Sequence, residues 1–307
     1  MTVNDNQHGG NYNMNREYKG VLPSPPDERD WHIDRCMDMP VGSFSFPKTF
    51  KVSWLPDYKD QGQVNSCTAF ALALIFECIY KRLYGDVTGF STGYLYGNRM
   101  ESEYKDEGEI MRDAIKGACI HGDVKACLWD NNYEVPKAIE AFEAAYPKLK
   151  EYAHKLVKGY VRIRGEDEAR AHLMKYGIPL FACAKMKKIH PLSKSDGYHA
   201  IAVTGWIKTG EFECRNSWGK YDCPDPELYF DEFAEVWGVI PMTKETFKDV
   251  KTNEWGSEAI YEAVDDGILQ GMGDGIFSPD TPLTRRQISL VWQRMKRYMD
   301  ERYEKNL

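Results

Sequence analysis

Four polar side chains in this 307-residue chain have the types needed for covalent attack on a carbonyl carbon. Cys67 is a nucleophile once its thiol, with a reference pKa of ~8.5, loses its proton to an imidazole such as that of His199. Asn216 could accept a hydrogen bond from that imidazole and fix its tautomer and direction. Gln61, just upstream of the cysteine, could donate to an oxyanion. The set indicates the chemistry of a thiol hydrolase.

The cysteine stands where a helix should begin. Residues Thr68–Tyr84 contain neither Gly nor Pro and are apolar on nearly every face, which predicts a helix buried all round. Asn65 and Ser66 are expected caps. The thiol would then lie at the end of the helix where the dipole favours negative charge.

The histidine and the asparagine fall on two predicted strands. Residues 197–206 read as a buried strand and residues 211–219 as a second one, joined by a turn at 208–210. A hairpin of this kind brings His199 and Asn216 roughly opposite each other, and Trp218 could shield their hydrogen bond from water.

These motifs, in this order, resemble the papain-like cysteine peptidases. The matching segments are Asp60-Gln61-Gly62, Ser66-Cys67-Thr68-Ala69-Phe70, Tyr198-His199-Ala200 and Arg215-Asn216-Ser217-Trp218-Gly219. The separation of cysteine and histidine fits the ~130–150 residues of that family. The resemblance implies Cys67 as nucleophile, His199 as base, Asn216 as orienting residue and Gln61 as oxyanion donor.

The resemblance is closest to bacterial and phage-type members with a Gln-Gly-Gln-x-x-Ser-Cys-Thr-Ala core. Animal and plant members usually have tryptophan where this chain has Thr68. By analogy Gly108 lies beside the substrate backbone, and Trp218 is a second candidate for substrate contact. The implied fold is α+β and two-lobed, with a helical lobe around Cys67, an antiparallel β lobe and a small C-terminal helical domain.

The last part of the chain has a different pattern, with a helix near 257–266 capped by Gly267, a glycine-rich loop and a second helix capped by Thr284. This pattern resembles one S-layer homology repeat, a module that binds secondary cell wall polymers of Gram-positive bacteria. The resemblance implies Trp255, Gly271 and Arg285 as glycan-binding candidates. The position after the arginine is Arg286-Gln287 instead of the usual Ala-Glu. A single repeat could bind wall polymer, form homo-oligomers or only pack on the peptidase.

These patterns together predict three segments: an N-terminal arm at 1–45, a peptidase domain at 46–247 and an S-layer homology-like domain at 248–307. Prolines in residues 22–30 favour an extended arm. One hypothesis is that the arm lies along or near the cleft and inhibits the enzyme, as a pro-region does. The alternative is a surface strap.

Composition excludes several partners and cofactors. The net charge of −7 argues against nucleic acid, and no segment approaches the length of a membrane span. Neither a metal nor an organic cofactor is expected, and the turn at 274–275 lacks the acidic spacing of a calcium loop. The eight cysteines give no disulfide pattern and are expected to be mainly reduced core thiols.

The polar, Asn-rich residues 1–18 do not read as a signal peptide. We therefore expect synthesis in the cytoplasm, with access to the wall or to a phage particle by lysis or a non-classical route. Three functions are compatible with the sequence. They are a peptidase acting on proteins, a hydrolase of peptidoglycan stem peptides, and a non-catalytic structural or wall-binding protein that retains the peptidase scaffold.

Overall fold

The structure, a computed structural model, covers two compact units, Met1–Met242 and Thr243–Leu307. It describes residues 20–37, 40–62, 64–99, 108–129, 137–191, 193, 195–220, 225–242, 247–251, 255–265, 268–272 and 276–303.

Helix α1, Cys67–Tyr84, is the central helix of the larger unit. Its residues are buried from Cys67 through Tyr80, as its uniformly apolar sequence predicts. It ends at Gly85, whose left-handed conformation at φ 74° lets its N–H donate to the Lys81 carbonyl. Ser66 is the N-cap residue, but its side chain makes no capping hydrogen bond. The expected side-chain cap is therefore wrong, because Ser66 has φ −104° and ψ 25° instead of the extended backbone of a capping residue.

The remaining helices of the larger unit surround α1 and the sheet. They are α2 (Thr92–Gly97), α3 (Met111–His121), α4 (Lys137–Leu149), α5 (Glu166–Tyr176) and α6 (Met186–Ile189).

Among the described residues, seven strands form one antiparallel sheet. They are β1 (Phe50–Lys51), β2 (Val157–Arg162), β3 (Leu180–Lys185), β4 (Tyr198–Trp206), β5 (Phe212–Arg215), β6 (Glu227–Leu228) and β7 (Phe233–Pro241). The order is β2-β7-β3-β4-β5-β6, and β1 pairs with β4. The central strands β3 and β4 are buried on both faces, because alternate residues contribute to two different cores. Phe181 and Cys183 pack with α1 on one face, and Leu180 and Ala182 pack with α5 on the other.

The hairpin of β4 and β5 is shorter than expected. Strand β5 ends at Arg215, which pairs with Ala202, whereas the sequence predicted a strand through Gly219. Beyond Arg215 the chain instead forms an isolated antiparallel bridge between Asp60 and Trp218. Asn216 therefore lies just beyond the strand, and its side chain is directed by a loop.

The smaller unit contains α7, Ser257–Asp265, and α8, Arg285–Tyr303. Phe247 and Val250 are its buried core, with Ile260, Val264 and Phe277 packed against them. Thr284 caps α8 as expected. Its Oγ1 accepts from the Gln287 backbone N–H at 3.2 Å, and Gln287 Oε1 accepts from the Thr284 N–H at 2.8 Å, which forms a capping box. Gln287 thus forms the capping-box contact at the position where the repeat pattern usually has glutamate.

The apolar stripe of α8 is largely exposed, with Ile288 at 53%, Trp292 at 60% and Met295 at 38%. The predicted Gly267 cap and the turn at 274–275 lie outside the described residues. None of the helices in the described part of the chain is long and apolar enough to cross a membrane. The seven cysteines described there are free thiols, and four of them are buried, namely Cys67, Cys78, Cys183 and Cys214.

Candidate active site

Cys67 is the first residue of α1, and its thiol is fully buried at 0% exposure. The backbone N–H of Ala200 donates to its sulfur, with an N–Sγ distance of 3.4 Å. The thiol therefore lies against the peptide that follows His199. Helix α1 and strand β4, which are distant in sequence, meet at this point.

His199 and Asn216 are joined by a hydrogen bond of 2.8 Å between Nε2 and Oδ1. Because an amide oxygen only accepts, Nε2 carries the proton and Nδ1 is the deprotonated nitrogen of the neutral ring. The Trp218 ring stacks on the imidazole with centroids 4.3 Å apart, and it is 5% exposed. Trp218 thus covers the histidine, which is the shielding contact that the hairpin pattern suggested.

Gln61 lies beside the same loop. Its backbone N–H donates to the Ser217 carbonyl at 2.8 Å, and its Oε1 accepts from the Ser217 hydroxyl at 2.5 Å. Its Nε2 donates to the Val64 carbonyl at 2.7 Å, within the turn that leads into α1. Gln61 therefore connects the segment before the nucleophile to the loop that carries Asn216.

The edge of the cleft near Cys67 contains a buried acid that the sequence did not single out. Gly108 has φ 146°, a backbone conformation that residues other than glycine rarely adopt. The next residue, Glu109, is 5% exposed, and its Oε2 accepts from Thr68 Oγ1 at 2.7 Å. Its position directly after a glycine that was itself a candidate is the signal that could have found it.

The N-terminal arm crosses this cleft. A Cβ added to Gly20 would stand 3.1 Å from Cys67 Sγ. Val21 forms an isolated antiparallel bridge with Tyr198 and is 1% exposed. Leu22 forms a parallel bridge with Ile110 on the opposite side of the cleft. The arm therefore lies as an extended segment between the two lobes and directly over the thiol.

Two further contacts hold the arm in place. Arg112 of α3 donates to both carboxylate oxygens of Asp30, at 2.9 and 2.7 Å, and to the Pro25 carbonyl at 2.7 Å. Glu235 of β7, whose side chain is completely buried, accepts from the Ser24 backbone N–H at 2.5 Å and from Arg162 at 2.6 Å. These charge-assisted bonds anchor the arm at residues 24–30.

Burial in this closed site shifts both titrating groups toward their neutral forms. It raises the pKa of the Cys67 thiol to about 12, and the nearby Glu109 carboxylate adds to the rise. It lowers the pKa of His199 to about 4, against the opposing effect of the Asn216 hydrogen bond. At neutral pH the pair is therefore thiol and neutral imidazole.

The candidate glycan residues of the smaller unit have different surroundings. Trp255 is fully exposed, at 101%. Arg285 is exposed in the first turn of α8. A Cβ on Gly271 would stand 2.4 Å from the Phe247 ring and 2.9 Å from the Ile276 carbonyl, so packing within the unit explains this glycine.

Solved structures with a similar fold include xylellain, a cysteine protease from Xylella fastidiosa, at TM-score 0.60 and 18% identity over 74% of this chain and 97% of that chain. The cysteine protease and lectin-like domains of Cwp84, a surface layer associated protein of Clostridium difficile, match at TM-score 0.54 and 15% identity. That match covers 74% of this chain and 56% of the Cwp84 chain. The larger unit has the papain-like fold. The expected α+β class, with its helical and antiparallel β lobes, is confirmed.

The family model of the S-layer homology domain matches residues 246–288, which confirms the second resemblance. A search of curated protein sequences finds no match to this chain. The expected route by lysis or a phage particle from the cytoplasm is wrong. The S-layer homology match at residues 246–288 points instead to a surface-associated protein. The expectation rested on the polar residues 1–18, and the matched C-terminal repeat overturns it.

Proposed function

We propose that the chain is a cysteine peptidase with Cys67 as nucleophile and His199 as base. The observation that carries this proposal is the 2.8 Å bond from His199 Nε2 to Asn216 Oδ1. This bond leaves Nδ1 of the imidazole as the nitrogen that can accept a proton. The next residue, Ala200, donates from its backbone N–H to the Cys67 sulfur, with an N–Sγ distance of 3.4 Å. The papain-like fold of the larger unit supports the same reaction class.

In the proposed reaction, His199 Nδ1 takes the thiol proton and the Cys67 sulfur attacks the carbonyl carbon of a peptide bond. Collapse of the tetrahedral oxyanion breaks the C–N bond, and the imidazolium gives its proton to the departing amine. The imidazole then takes a proton from water, and the resulting hydroxide attacks the thioester carbonyl. Cleavage of the C–S bond releases the carboxylic acid, and the imidazolium returns its proton to the sulfur, which restores the thiol and the neutral imidazole.

Gln61 is the proposed oxyanion donor. Its amide nitrogen carries two hydrogens, and the bond to the Val64 carbonyl uses one of them. The second hydrogen and the Cys67 backbone N–H at the start of α1 are the donors for the oxyanion. The Ser217 hydroxyl, which donates to Gln61 Oε1, keeps the amide in this orientation.

The N-terminal arm is proposed to be inhibitory, in the manner of a pro-region. It covers the thiol, and burial keeps thiol and imidazole uncharged at neutral pH. Displacement of the arm would hydrate the site and allow the thiolate–imidazolium pair to form. The surface-strap alternative does not account for the close approach of Gly20 to Cys67.

A peptide substrate is proposed to replace the arm. The Glu109 carbonyl and the Met111 N–H now bind Leu22, at 3.0 and 3.2 Å, and an extended substrate would take over the same backbone groups. Gly108, directly before this edge, leaves room for the substrate backbone. Trp218 faces the imidazole, so its proposed contribution to substrate binding is to close the site behind His199.

Hydrolysis of an unstructured protein such as casein tests the function. A chain lacking residues 1–45 should cleave it, and the same chain carrying Cys67→Ala should not. The control is Cys78→Ala in the same shortened chain, because Cys78 is another buried cysteine on α1 and its loss removes a buried thiol away from the site. Equal cleavage by all three chains would mean a contaminating protease and would remove the proposal.

The smaller unit is proposed to bind a secondary cell wall polymer of Gram-positive bacteria, with Arg285 and the exposed Trp255 as contacts and Gly271 as a packing residue next to them. The exposed stripe of α8 is proposed to pair with copies of itself, because a single repeat does not cover its own apolar face. Anchoring of this kind would hold the peptidase at the surface.

A non-catalytic, wall-binding protein is the second candidate, and the complete burial of Cys67 favours it. The peptidase has two candidate substrates, a protein chain and the stem peptide of peptidoglycan, because a wall-binding unit would bring the enzyme to peptidoglycan. Purified cell wall and casein, offered to the chain lacking residues 1–45, separate these three outcomes. Released stem peptides indicate the wall hydrolase, cleaved casein the protein peptidase, and neither product the binding protein.

A further inference from the structure

The hydrogen bond between Thr68 and Glu109 connects the nucleophile helix to the cleft edge. Thr68 directly follows Cys67 in the first turn of α1 and is completely buried. Its hydroxyl donates to Glu109 Oε2 at 2.7 Å. A carboxylate that is 5% exposed carries a large desolvation cost, which this charge-assisted bond partly offsets.

Glu109 also contacts the chain that fills the cleft. Its carbonyl accepts from the Leu22 N–H at 3.0 Å, and the Met111 N–H donates back to the Leu22 carbonyl at 3.2 Å. One residue thus binds the first turn of α1 through its side chain and the extended segment in the cleft through its backbone. The distance between the nucleophile and any chain bound at this edge depends on that residue.

We propose that Glu109 is a positioning residue, which acts through Thr68 to fix the peptide-binding edge against the nucleophile helix and to hold a negative charge beside Cys67. The inference rests on the proposed peptidase function for its catalytic consequence. A cleft edge that shifts by about 1 Å can cost roughly 100-fold in rate, because the scissile carbonyl then leaves the attack geometry.

The charge has a second, separable effect. The Glu109 carboxylate raises the pKa of the Cys67 thiol, in addition to the larger effect of burial. Within the described part of the chain, the other titratable residues near this thiol are Cys183, which lies across from Ala200 on β3, and His199, which directly precedes Ala200 on β4. A substitution that removes the hydrogen bond should therefore change kcat, whereas a substitution that removes the charge should change the pH dependence of Cys67 alkylation.

Three variants, made in the chain lacking residues 1–45 because the arm is proposed to inhibit the full chain, separate geometry from charge. Thr68→Val removes the hydroxyl, Thr68→Ser keeps it, and Glu109→Gln keeps an acceptor oxygen without the charge. Thr204→Val is the matched control, because Thr204 is also buried and bonds the Glu213 carbonyl on the sheet. The readouts are kcat and KM for peptide hydrolysis and the pH dependence of Cys67 alkylation by iodoacetamide.

Thr68→Val should lower kcat by about 10- to 100-fold, with Thr68→Ser and Thr204→Val near wild type. Glu109→Gln should shift the pH midpoint of Cys67 alkylation downward, because the carboxylate charge that adds to the raised pKa of the thiol is gone. Equal loss of kcat in Thr68→Val and Thr204→Val, or an unshifted midpoint in Glu109→Gln, would overturn the proposal. If the chain lacking residues 1–45, without any of these substitutions, hydrolyses no peptide, the peptidase function fails, and the pH midpoint of Cys67 alkylation alone then tests the role of Glu109.

Discussion

Gly20 lies directly against the thiol of Cys67, so close that a Cβ on this glycine would stand 3.1 Å from the sulfur. The thiol is consequently buried, and its pKa is raised to about 12. The same segment that covers the nucleophile also occupies the backbone groups of Glu109 and Met111 that are proposed to bind substrate.

The Asp30–Arg112 pair should control how often the arm opens. Asp30→Ala removes a bidentate, mostly buried ion pair, and we expect Cys67 alkylation in the full chain to accelerate by about 10-fold, equivalent to ~1.4 kcal/mol. Asp27→Ala is the matched control, since Asp27 pairs with the highly exposed Arg29 of the arm itself. Identical alkylation rates for both variants would show that this pair does not hold the arm.

The Asn216 side chain should matter for catalysis more than for stability. In the chain lacking residues 1–45, Asn216→Ala removes the acceptor that fixes the His199 tautomer, so kcat for peptide hydrolysis should fall by roughly 100-fold while the melting temperature changes little. Asn98→Ala, in which a partly buried asparagine far along the chain is truncated, is the comparison variant. A similar kcat in the two variants would contradict the orienting role.

His172 should make the fold sensitive to acid. It is buried and donates from Nε2 to the Val239 carbonyl at 2.9 Å, and burial lowers its pKa to about 4 from an ordinary value of 6.5. Below pH 6.5 the unfolded chain binds a proton that the folded protein excludes, so the free energy of unfolding falls as the pH drops toward 4. The loss attributable to this residue is about 3 kcal/mol.

Urea unfolding of wild type and His172→Gln between pH 7 and pH 4 measures that loss. The variant should be less stable than wild type at pH 7 and should lose less stability on acidification. His199 has the same buried, neutral character, so part of the acid sensitivity should persist in the variant. Parallel curves for the two proteins would rule out His172 as a source of the pH dependence.

Arg285 should be required for wall binding and its neighbour should not. Arg285→Ala is expected to reduce sedimentation of the protein with purified Gram-positive cell walls by at least about 10-fold, the scale of one lost charge-assisted contact. Arg286→Ala removes the same charge one position along the exposed first turn of α8. Equal losses in both variants would indicate general electrostatic attraction instead of a glycan site.

The sequence predicted α1 and the strand that carries His199 because each has an unbroken apolar pattern. It overestimated β5, because beyond Arg215 the chain no longer pairs with β4 and instead forms an isolated bridge between Asp60 and Trp218, a long-range pairing that strand periodicity does not encode. The α8 stripe of Ile288, Trp292 and Met295 has helical spacing, but spacing alone does not say whether another surface covers it.

Contacts between distant segments were the least predictable. The prolines of residues 22–30 predicted an extended arm, but the pairing of Asp30 with Arg112 depends on where that arm crosses the cleft. Glu109 and Glu235 were missed for a similar reason. A single acid usually faces solvent, and only the tertiary fold buries these two.

The most direct test of the account is the labelling rate of Cys67. An epoxide probe, with the modified residue located by mass spectrometry, should be applied to the full chain, to a chain lacking residues 1–45 and to that shorter chain carrying His199→Ala. Circular dichroism should first establish that all three are folded. We predict slow labelling of the full chain, fast labelling at Cys67 after removal of the arm, and loss of that reactivity without His199. Uniformly slow labelling of Cys67, no faster than that of the buried Cys78 in all three chains, would contradict the assignment of a thiol nucleophile.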